Sequence, residues 1–587
     1  MTFDVVINNG LLFDGTGSAP QVANVGILDG RVAAISTAPL DEAGCPRVVD
    51  AAGQWVMPGM VDIHTHYDVE VLNDPGLVES VRHGVTTILV GSCSLSTVHV
   101  DPTDAGDLFG RVEAIPRAHV IDAVDRAKTW SSAGEYVAAL EDLPLGPNVA
   151  AFIGHSDLRA AAMGLDRATQ DGVRASAAER DTMEKWLTEA LDAGFVGMSA
   201  QQLMFDKLDG ETCRSRTLPS TYAGARERRR LNAILRKRRR VLQGGPDIQS
   251  PRSVLAMMLS TLGIVRKPLK TSLLSAADIK ASRAVMAVMP PSARVLNALG
   301  GDFRWQHLPV PFEVYADGID LVIFEEFGSG AAALHLAEEV ERNALLQDEE
   351  YRRWFRKDYD SKFGLRVWHR DFFDAEIVDC PDTDTIGKTF GQVGKERGGV
   401  HPVDAFLDLV VEHGTKVRWR TTISNDRPAM LDKLATSPAI QLGFSDAGAH
   451  LRNMAFYNFG LRLLRRVRDA EVAGRPFMTI EHAVHRLTGE LADWYGLDAG
   501  HLRLGDRADL VVVDPNALDD RLDEYHESTV ASYGNLSRMV NRNDDAVVAV
   551  LVNGEYVFGG GTAAEVLGVR RTGQFLRAST SEPQLVG

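Results

Sequence analysis

Short apolar runs broken by tight turns fill the first part of the chain. Phe3-Asp4-Val5-Val6-Ile7 meets Asn8-Asn9-Gly10, and Leu11-Leu12-Phe13 meets Asp14-Gly15. Val25-Gly26-Ile27-Leu28 meets Asp29-Gly30 before Arg31-Val32-Ala33-Ala34-Ile35. Asn-Gly and Asp-Gly between apolar runs predict β-hairpins. The same texture returns near the other end, in Leu504–Asp514 and Val547–Val557. Between them the pattern changes. From 58 to 200, apolar runs alternate with helical stretches: Thr86–Cys93, Val149–His155 and Phe195–Ser199 read as strands, with a helix from Met183 to Leu191. That alternation predicts a parallel α/β array. Eight such units close a barrel whose chemistry sits at the C-terminal strand ends. From 290 to 380 the rhythm lapses into aromatic and polar residues, such as Tyr351-Arg352-Arg353-Trp354-Phe355. Order returns with an amphipathic helix over His401–Val410 and an apolar strand, Ile440–Phe444, that ends in Ser445-Asp446.

Composition narrows the function classes. The chain has 587 residues and a formal net charge of −17. That charge disfavours a general nucleic-acid binder or a partner of anionic membrane surfaces. No 18-residue apolar run and no charged-then-apolar leader is present, so a soluble, cytoplasmic protein with a small-molecule substrate is expected. The four cysteines, Cys45, Cys93, Cys213 and Cys380, lack paired spacing, which argues against a disulfide framework. One basic stretch, 226–240, carries Arg226, Arg228, Arg229, Arg230 and a second run from Arg236 to Arg240. It reads as the solvated face of a helix whose apolar stripe is Leu231, Ile234 and Leu235. A nucleic-acid or acidic-partner patch is the other reading.

Candidate chemistry begins at His64-Thr65-His66, which follows an apolar run and Pro58-Gly59. Residues i and i+2 of a strand share a face, so both imidazoles can aim at one metal. Cys93 ends a strand in Gly91-Ser92-Cys93. Its thiolate suits zinc, although buried cysteines are commonly inert. Asp446 ends the later strand before Gly448, where a turn is the plain reading and a catalytic carboxylate the functional one. His450 and Arg452 follow on the same loop. A guanidinium fork there could clamp a substrate carboxylate, or make a surface ion pair. His155 ends a strand and reads equally as a pocket residue or a loop histidine.

These residues carry a resemblance. Pro58-Gly59-Met60-Val61-Asp62-Ile63-His64-Thr65-His66 resembles the entry signature of the amidohydrolase superfamily. Gly84–Cys93, Gly154–Arg159 and Leu218–Ala223 are similar to segments of its N-acyl-D-amino-acid deacylase (D-aminoacylase) branch. The resemblance implies a TIM-like (β/α)8 metallohydrolase barrel with a small β-sandwich made from both chain ends. Its parts are a first sandwich piece over 1–57, the barrel over 58–490 with a lid insertion near 290–380, a second sandwich piece over 491–564, and a tail over 565–587. The tail is expected to dock on a neighbouring copy, giving a homo-oligomer. By the resemblance His64, His66, Cys93 and Asp446 bind metal, Asp446 also moves the proton, and His155, His450 and Arg452 bind substrate. The sequence departs in one respect. D-aminoacylases supply two further metal histidines from strands 5 and 6, and no histidine lies between His155 and His307 here. One Zn2+ per chain is therefore expected, with cleavage of a C–N amide bond in an N-acyl-(D-)amino acid or related amide. The alternatives are a different amide, cyclic amide or ester, or a binding protein of this fold that has lost turnover.

Overall fold

A computed structural model describes residues 2–263, 266–361 and 365–579. Eight parallel strands form one curled sheet: β1 (Met60–Asp62), β2 (Val85–Val90), β3 (Asn148–Gly154), β4 (Gly197–Gln201), β5 (Val241–Gly245), β6 (Lys270–Leu273), β7 (Asp302–Gln306) and β8 (Ile440–Gln441). Their spatial order follows the sequence. Helices cross between successive strands, as parallel pairing requires. The ring closes where the chain leaves β8: Ile63 N–H donates to Gly443 at 2.9 Å, His66 N–H to Ala447 at 2.7 Å, and Asp446 N–H to His64 at 3.1 Å. These bonds bring two loops, nearly four hundred residues apart in sequence, to one rim. The buried carboxyl of Asp62 adds a pin, accepting from the Ser445 hydroxyl across the closure.

β7 lies inside the stretch in which no strand rhythm was expected. Phe303 and Trp305 are buried while Asp302 and Arg304 remain partly exposed, and Arg304 pairs with Glu490. A five-residue strand with an arginine at its centre carries too little apolar periodicity to be read alone. The inserted material accordingly starts later than 290. It follows β7 and carries a three-stranded antiparallel sheet, Phe312–Asp317, Glu376–Asp379 and Arg418–Ser424. Helices including Glu349–Asp360 and Pro402–His413 pack beside it. Phe324, Trp368, Phe372, Phe406 and Trp419 stack into its core; Phe372 and Phe406 are 4.6 Å apart between ring centroids. The aromatic composition noted in sequence is thus the packing of a subdomain.

Both chain ends share a nine-stranded sheet. Trp55–Pro58 pairs antiparallel with Leu510–Val513, which joins the N-terminal hairpins to the C-terminal pair Val547–Val552 and Glu555–Gly559. Val5, Ile7, Val25 and Ile27 bury one face of it together with Leu510, Val512 and Leu551.

The described part of the tail serves this chain itself, not a neighbouring copy. Val149 N–H donates to Gln574 at 2.9 Å and Leu576 N–H to Val149 at 2.8 Å, at the start of β3. Phe575 and Leu576 are buried there, an apolar pair hidden in an otherwise polar stretch. Residues 580–587 lie outside the described residues. The basic stretch forms the helix Ala225–Arg238 and the turn after it. Arg230 pairs with Asp181 and Glu184, and Arg238 with Asp192. Arg240 donates to the tail carbonyls of Ala578 and Ser579. The solvated-face reading therefore holds for Arg230 and Arg238, whereas Arg236 and Arg240 are buried against backbone carbonyls. Among the described residues no helix is long and apolar enough to cross a membrane.

A buried ion pair fastens the barrel to the C-terminal part. Glu79 accepts from Arg542 at 2.6 Å, and its other oxygen lies 3.4 Å from His83 Nε2. Burial would raise the Glu79 carboxyl, but His83 and Arg542 override it and hold the pKa at about 2. The folded value is depressed, so the pair's stabilisation is present above about pH 4.5 and is lost as pH falls toward 2. Glu79→Gln leaves Arg542 without its anion. It should cost about 3 kcal/mol and flatten the acid side of a stability-against-pH curve. Chemical denaturation at pH 7 and pH 4 measures both; an unchanged acid limb would remove Glu79 from this role.

Candidate metal centre

The site sits at the C-terminal mouth of the barrel, and each side chain is placed by a strand end. β1 stays extended past Asp62, so His64 and His66 project to one side. Their Nε2 atoms are 3.3 Å apart. Cys93 follows β2, and its Sγ lies 3.5 Å from His64 Nε2. The ligand atoms of these three buried residues all fall within 4.8 Å of one another. Asp446 comes from the loop after β8; its Oδ1 is 3.2 Å from His66 Nε2 and 3.5 Å from His64 Nε2. Cys93, Ser94, Asp446 and His450 all adopt left-handed backbone, with φ of 52°, 71°, 60° and 50°. Such residues cost about 1–3 kcal/mol each and cluster where a site is held in place against strain.

Neighbours fix both imidazoles. His64 Nδ1 is 2.7 Å from Gln306 Oε1 on β7. The same nitrogen lies 3.2 Å from Gln243 Nε2, so two amide side chains hold that edge of the ring while Nε2 faces the cluster. His66 Nδ1 is 3.2 Å from Glu113 Oε1. Burial would lower His66, but Glu113 and the hydrogen bond to Asp446 raise it well above the ordinary imidazole value. Burial pushes Glu113 up to about 8 against the pull of His66. Burial would also raise Asp446; the hydrogen bond and charges of the histidines win and hold it below the usual carboxylate range. The Cys93 thiol is pushed up to about 12, chiefly by burial. A buried thiol of this kind needs a cation beside it before it ionises.

Gln243 of β5 and Ser272 of β6 are register partners in the barrel interior, where the D-aminoacylase resemblance calls for histidines. Gln243 Oε1 accepts from Cys93 N–H at 3.3 Å. Ser272 Oγ accepts from Gln306 at 3.0 Å and from Tyr495 at 3.1 Å, and donates to Gln441 at 2.8 Å. Neutral amides and hydroxyls satisfy one another there. Each can hydrogen-bond a histidine, and none is a strong ligand for a soft or borderline metal.

A cavity of about 220 Å³ opens from the cluster. Leu203, Phe205, Phe312, Leu321, Ile323 and Phe444 make much of its wall, and several of them come from the insertion. Glu113, Asp206 and Glu326 are its remaining acids beside Asp446. Burial raises Asp206 to about 7.

His450 lines this cavity and lies 3.8 Å from Glu113. Two expectations fail. Arg452 points away and is held by Asp317 at 2.6 Å and Glu527 at 3.1 Å, so the surface ion-pair reading applies. His155 turns outward from β3 to Glu227, 2.8 Å away, beside Arg159. It lines a different recess, between strands and helices. Loop position alone does not set side-chain direction. Glu113, Gln306, Gln243 and Asp206 were not picked out in sequence. Glu113 carried one faint signal, a lone acid within the apolar segment Phe109–Ile115. The others look like ordinary polar residues at strand ends.

Comparison with known proteins places this fold and site in a class. Residues 47–227 match a profile described as the amidohydrolase family. The uncharacterized protein Rv2913c of Mycobacterium tuberculosis is 58% identical over 566 residues, covering 96% of this chain and 92% of that protein. The N-acyl-D-glutamate deacylase of Alcaligenes xylosoxydans xylosoxydans is 36% identical over 198 residues, 33% of this chain and 36% of that enzyme. In structure, the N-acyl-D-glutamate deacylase of Bordetella bronchiseptica, solved with zinc and a phosphonate inhibitor, superposes with a TM-score of 0.62. The alignment covers 98% of this chain and 100% of that one at 23% identity, a likeness of fold. Residues 47–227 of the chain carry the amidohydrolase family match, and about a third of the chain is similar to the N-acyl-D-glutamate deacylase and D-aminoacylase sequences, whose fold it shares. It is a hydrolytic enzyme of the metal-dependent amide-hydrolase class.

Proposed function

We propose that this enzyme cleaves the C–N bond of an N-acylated amine or amino acid at a single metal ion, zinc in the first instance, held by His64, His66, Cys93 and Asp446. The observation that carries the reading is the convergence of two imidazole Nε2 atoms, a thiol and a carboxylate at the barrel mouth. That donor set fits zinc: nitrogen, sulfur and oxygen ligands in a compact group, with outer partners fixing both imidazoles. The neutral side chains of Gln243 and Ser272, where the resemblance calls for histidines, support one ion and not two.

A divalent ion held there would supply Lewis-acid polarisation of a carbonyl and activation of water. Asp446 is placed to accept a proton from the attacking water and to return it to the departing amine, as a general base and then a general acid. Its side chain is 13% exposed, open to the cavity and otherwise shielded, which suits a proton carrier. Glu113 and Gln306 keep the histidine rings in place through both steps. The apolar walls exclude bulk water from the reacting amide. The relatives named N-acyl-D-glutamate deacylase and D-aminoacylase support an N-acyl-(D-)amino acid or related amide as substrate.

Elemental analysis of the purified protein should find close to one zinc-like ion per chain, and a panel of N-acyl amino acids and simple amides should include a turned-over member. Two tightly held ions would overturn the single-ion centre. One ion with no turnover across the panel would favour a binding protein.

A further inference from the structure

The metal cavity carries a charge pattern that bears on its substrate. Among the described residues, no lysine or arginine lines it, while Glu113, Asp206, Glu326 and Asp446 do. A carboxylate placed beside the scissile bond would find no lysine or arginine to pair with there. Arg452, the one arginine expected to serve, is already held by two carboxylates.

A second cavity of about 370 Å³ adjoins the first and shares Phe205, Leu321, Val322 and His450 with it. Its wall is rich in charge. Arg111 pairs with Glu325, Arg214 with Asp209, and Arg342 with Asp320. Those pairs use every carboxylate of that wall. The remaining cation is Lys207, and among the described residues no carboxylate lies within ion-pair distance of its ammonium group. Lys207 is half-buried, and burial pulls it below the ordinary lysine value. The strongest opposite charge acting on it is that of Glu325, which already pairs with Arg111, and the adjacent Asp206 faces the metal cavity instead. A partly desolvated ammonium without a partner is costly unless an anion arrives.

We propose that the Lys207 cavity is the subsite for an acidic group of the substrate, and that the substrate is an amide with an apolar group at the scissile bond and a carboxylate farther out. This rests on the amide-hydrolase reading for the reacting bond, whereas the anion subsite stands on its own geometry. His450, on the wall common to both cavities, sits where the two parts of such a molecule join.

The test uses the full chain as purified with its metal. Adipanilic acid carries the anion on the acyl side, and N-phenylacetyl-6-aminohexanoic acid carries it on the amine side. Each is compared with its methyl ester by calorimetry and by amine release. At least one acid should bind about tenfold or more tighter than its ester, the size of one charge-assisted hydrogen bond. Lys207→Met should abolish that preference while leaving ester binding unchanged, and Lys207→Arg should restore most of it. Thermal melts check that each variant is folded. A misfolded Lys207→Met is replaced by Lys207→Gln, read the same way. No binding of either acid, equal binding of acid and ester, or a preference that survives loss of the lysine overturns the subsite. Charge-dependent binding without amine release leaves the subsite standing and defeats the hydrolytic reading instead.

Discussion

Asp446→Asn should remove turnover while leaving the protein folded. The backbone at Asp446 is left-handed, with φ of 60°. Aspartate and asparagine tolerate that region better than other side-chain-bearing residues, so the replacement keeps the loop without added strain. Its N–H still donates to His64, because that bond belongs to the main chain. What is lost is the negative charge 3.2 Å from His66 Nε2 and the ability to accept a proton. General acid–base groups supply ~10² to 10⁴-fold in rate, and a weakened metal ligand adds to the loss. The comparison belongs at equal metal occupancy on one hydrolysed amide, with the fold checked by circular dichroism. A variant that kept more than about a tenth of the rate would retain too much for a general base of this size. Asp446 would then be a turn residue only.

Cys93→Ala should empty the centre. The thiol is the sole sulfur donor of the cluster and lies 3.5 Å from His64 Nε2. Alanine meets the same left-handed backbone, at φ of 52°, so the change in strain is small. The cavity left by one sulfur is also small, and folding should survive. Loss of an outer partner of a metal ligand typically costs about 10- to 100-fold in affinity, and loss of the ligand itself should cost more. Dialysis against a graded chelator series, read by elemental analysis, gives the retention curve. Cys93→Ser separates size from donor chemistry, since serine fills the space and is a poor zinc ligand. Retention unchanged in both variants would return Cys93 to the status of a packed core thiol.

These two predictions rest on residues that were visible before any coordinates. The tests on Glu79 and on Lys207 rest on contacts that were not, whereas the metal count was already expected from the missing histidines. That difference has a physical basis. His64 and His66 are two apart on a strand-like segment, so local periodicity already puts them on one face. Cys93 and Asp446 each end an apolar run, the position where a parallel barrel presents side chains at its mouth. Both chain ends showed their hairpins through Asn-Gly and Asp-Gly turns, a signal carried by a few neighbouring residues.

The long-range part could not be read in this way. β7 was hidden because five residues with a central arginine lack periodicity; only the parallel register of Trp305 with Leu273 on one side and Ile440 on the other makes it a barrel strand. Phe575 and Leu576 looked like part of a polar tail until the start of β3 offered them backbone partners. Arg452 and His155 have the right chemistry near the right strand ends, yet their side chains turn to Asp317 and Glu227. A loop residue's direction depends on which counter-charge packs nearby, and that is settled by other segments.

The sequence by itself determined the alternation of a parallel α/β array, the hairpins near both ends, the placing of His64 and His66 on one face and the lack of any histidine between His155 and His307, which are matters of local pattern, residue type or simple absence. The closed barrel, the sandwich shared by both ends and the four-donor set were what its family resemblance implied. Only the tertiary structure decided that Ser272, Gln306 and Gln441 join in one neutral hydrogen-bonded group, and that Gln243 stands beside them against Cys93 and His64. It alone decided that Glu113 stands behind His66, and that Lys207 is left without a carboxylate partner among the described residues. Those outcomes depend on ring closure and strand register, which bring together side chains from distant segments and fix, within about 3 Å, which of them touch.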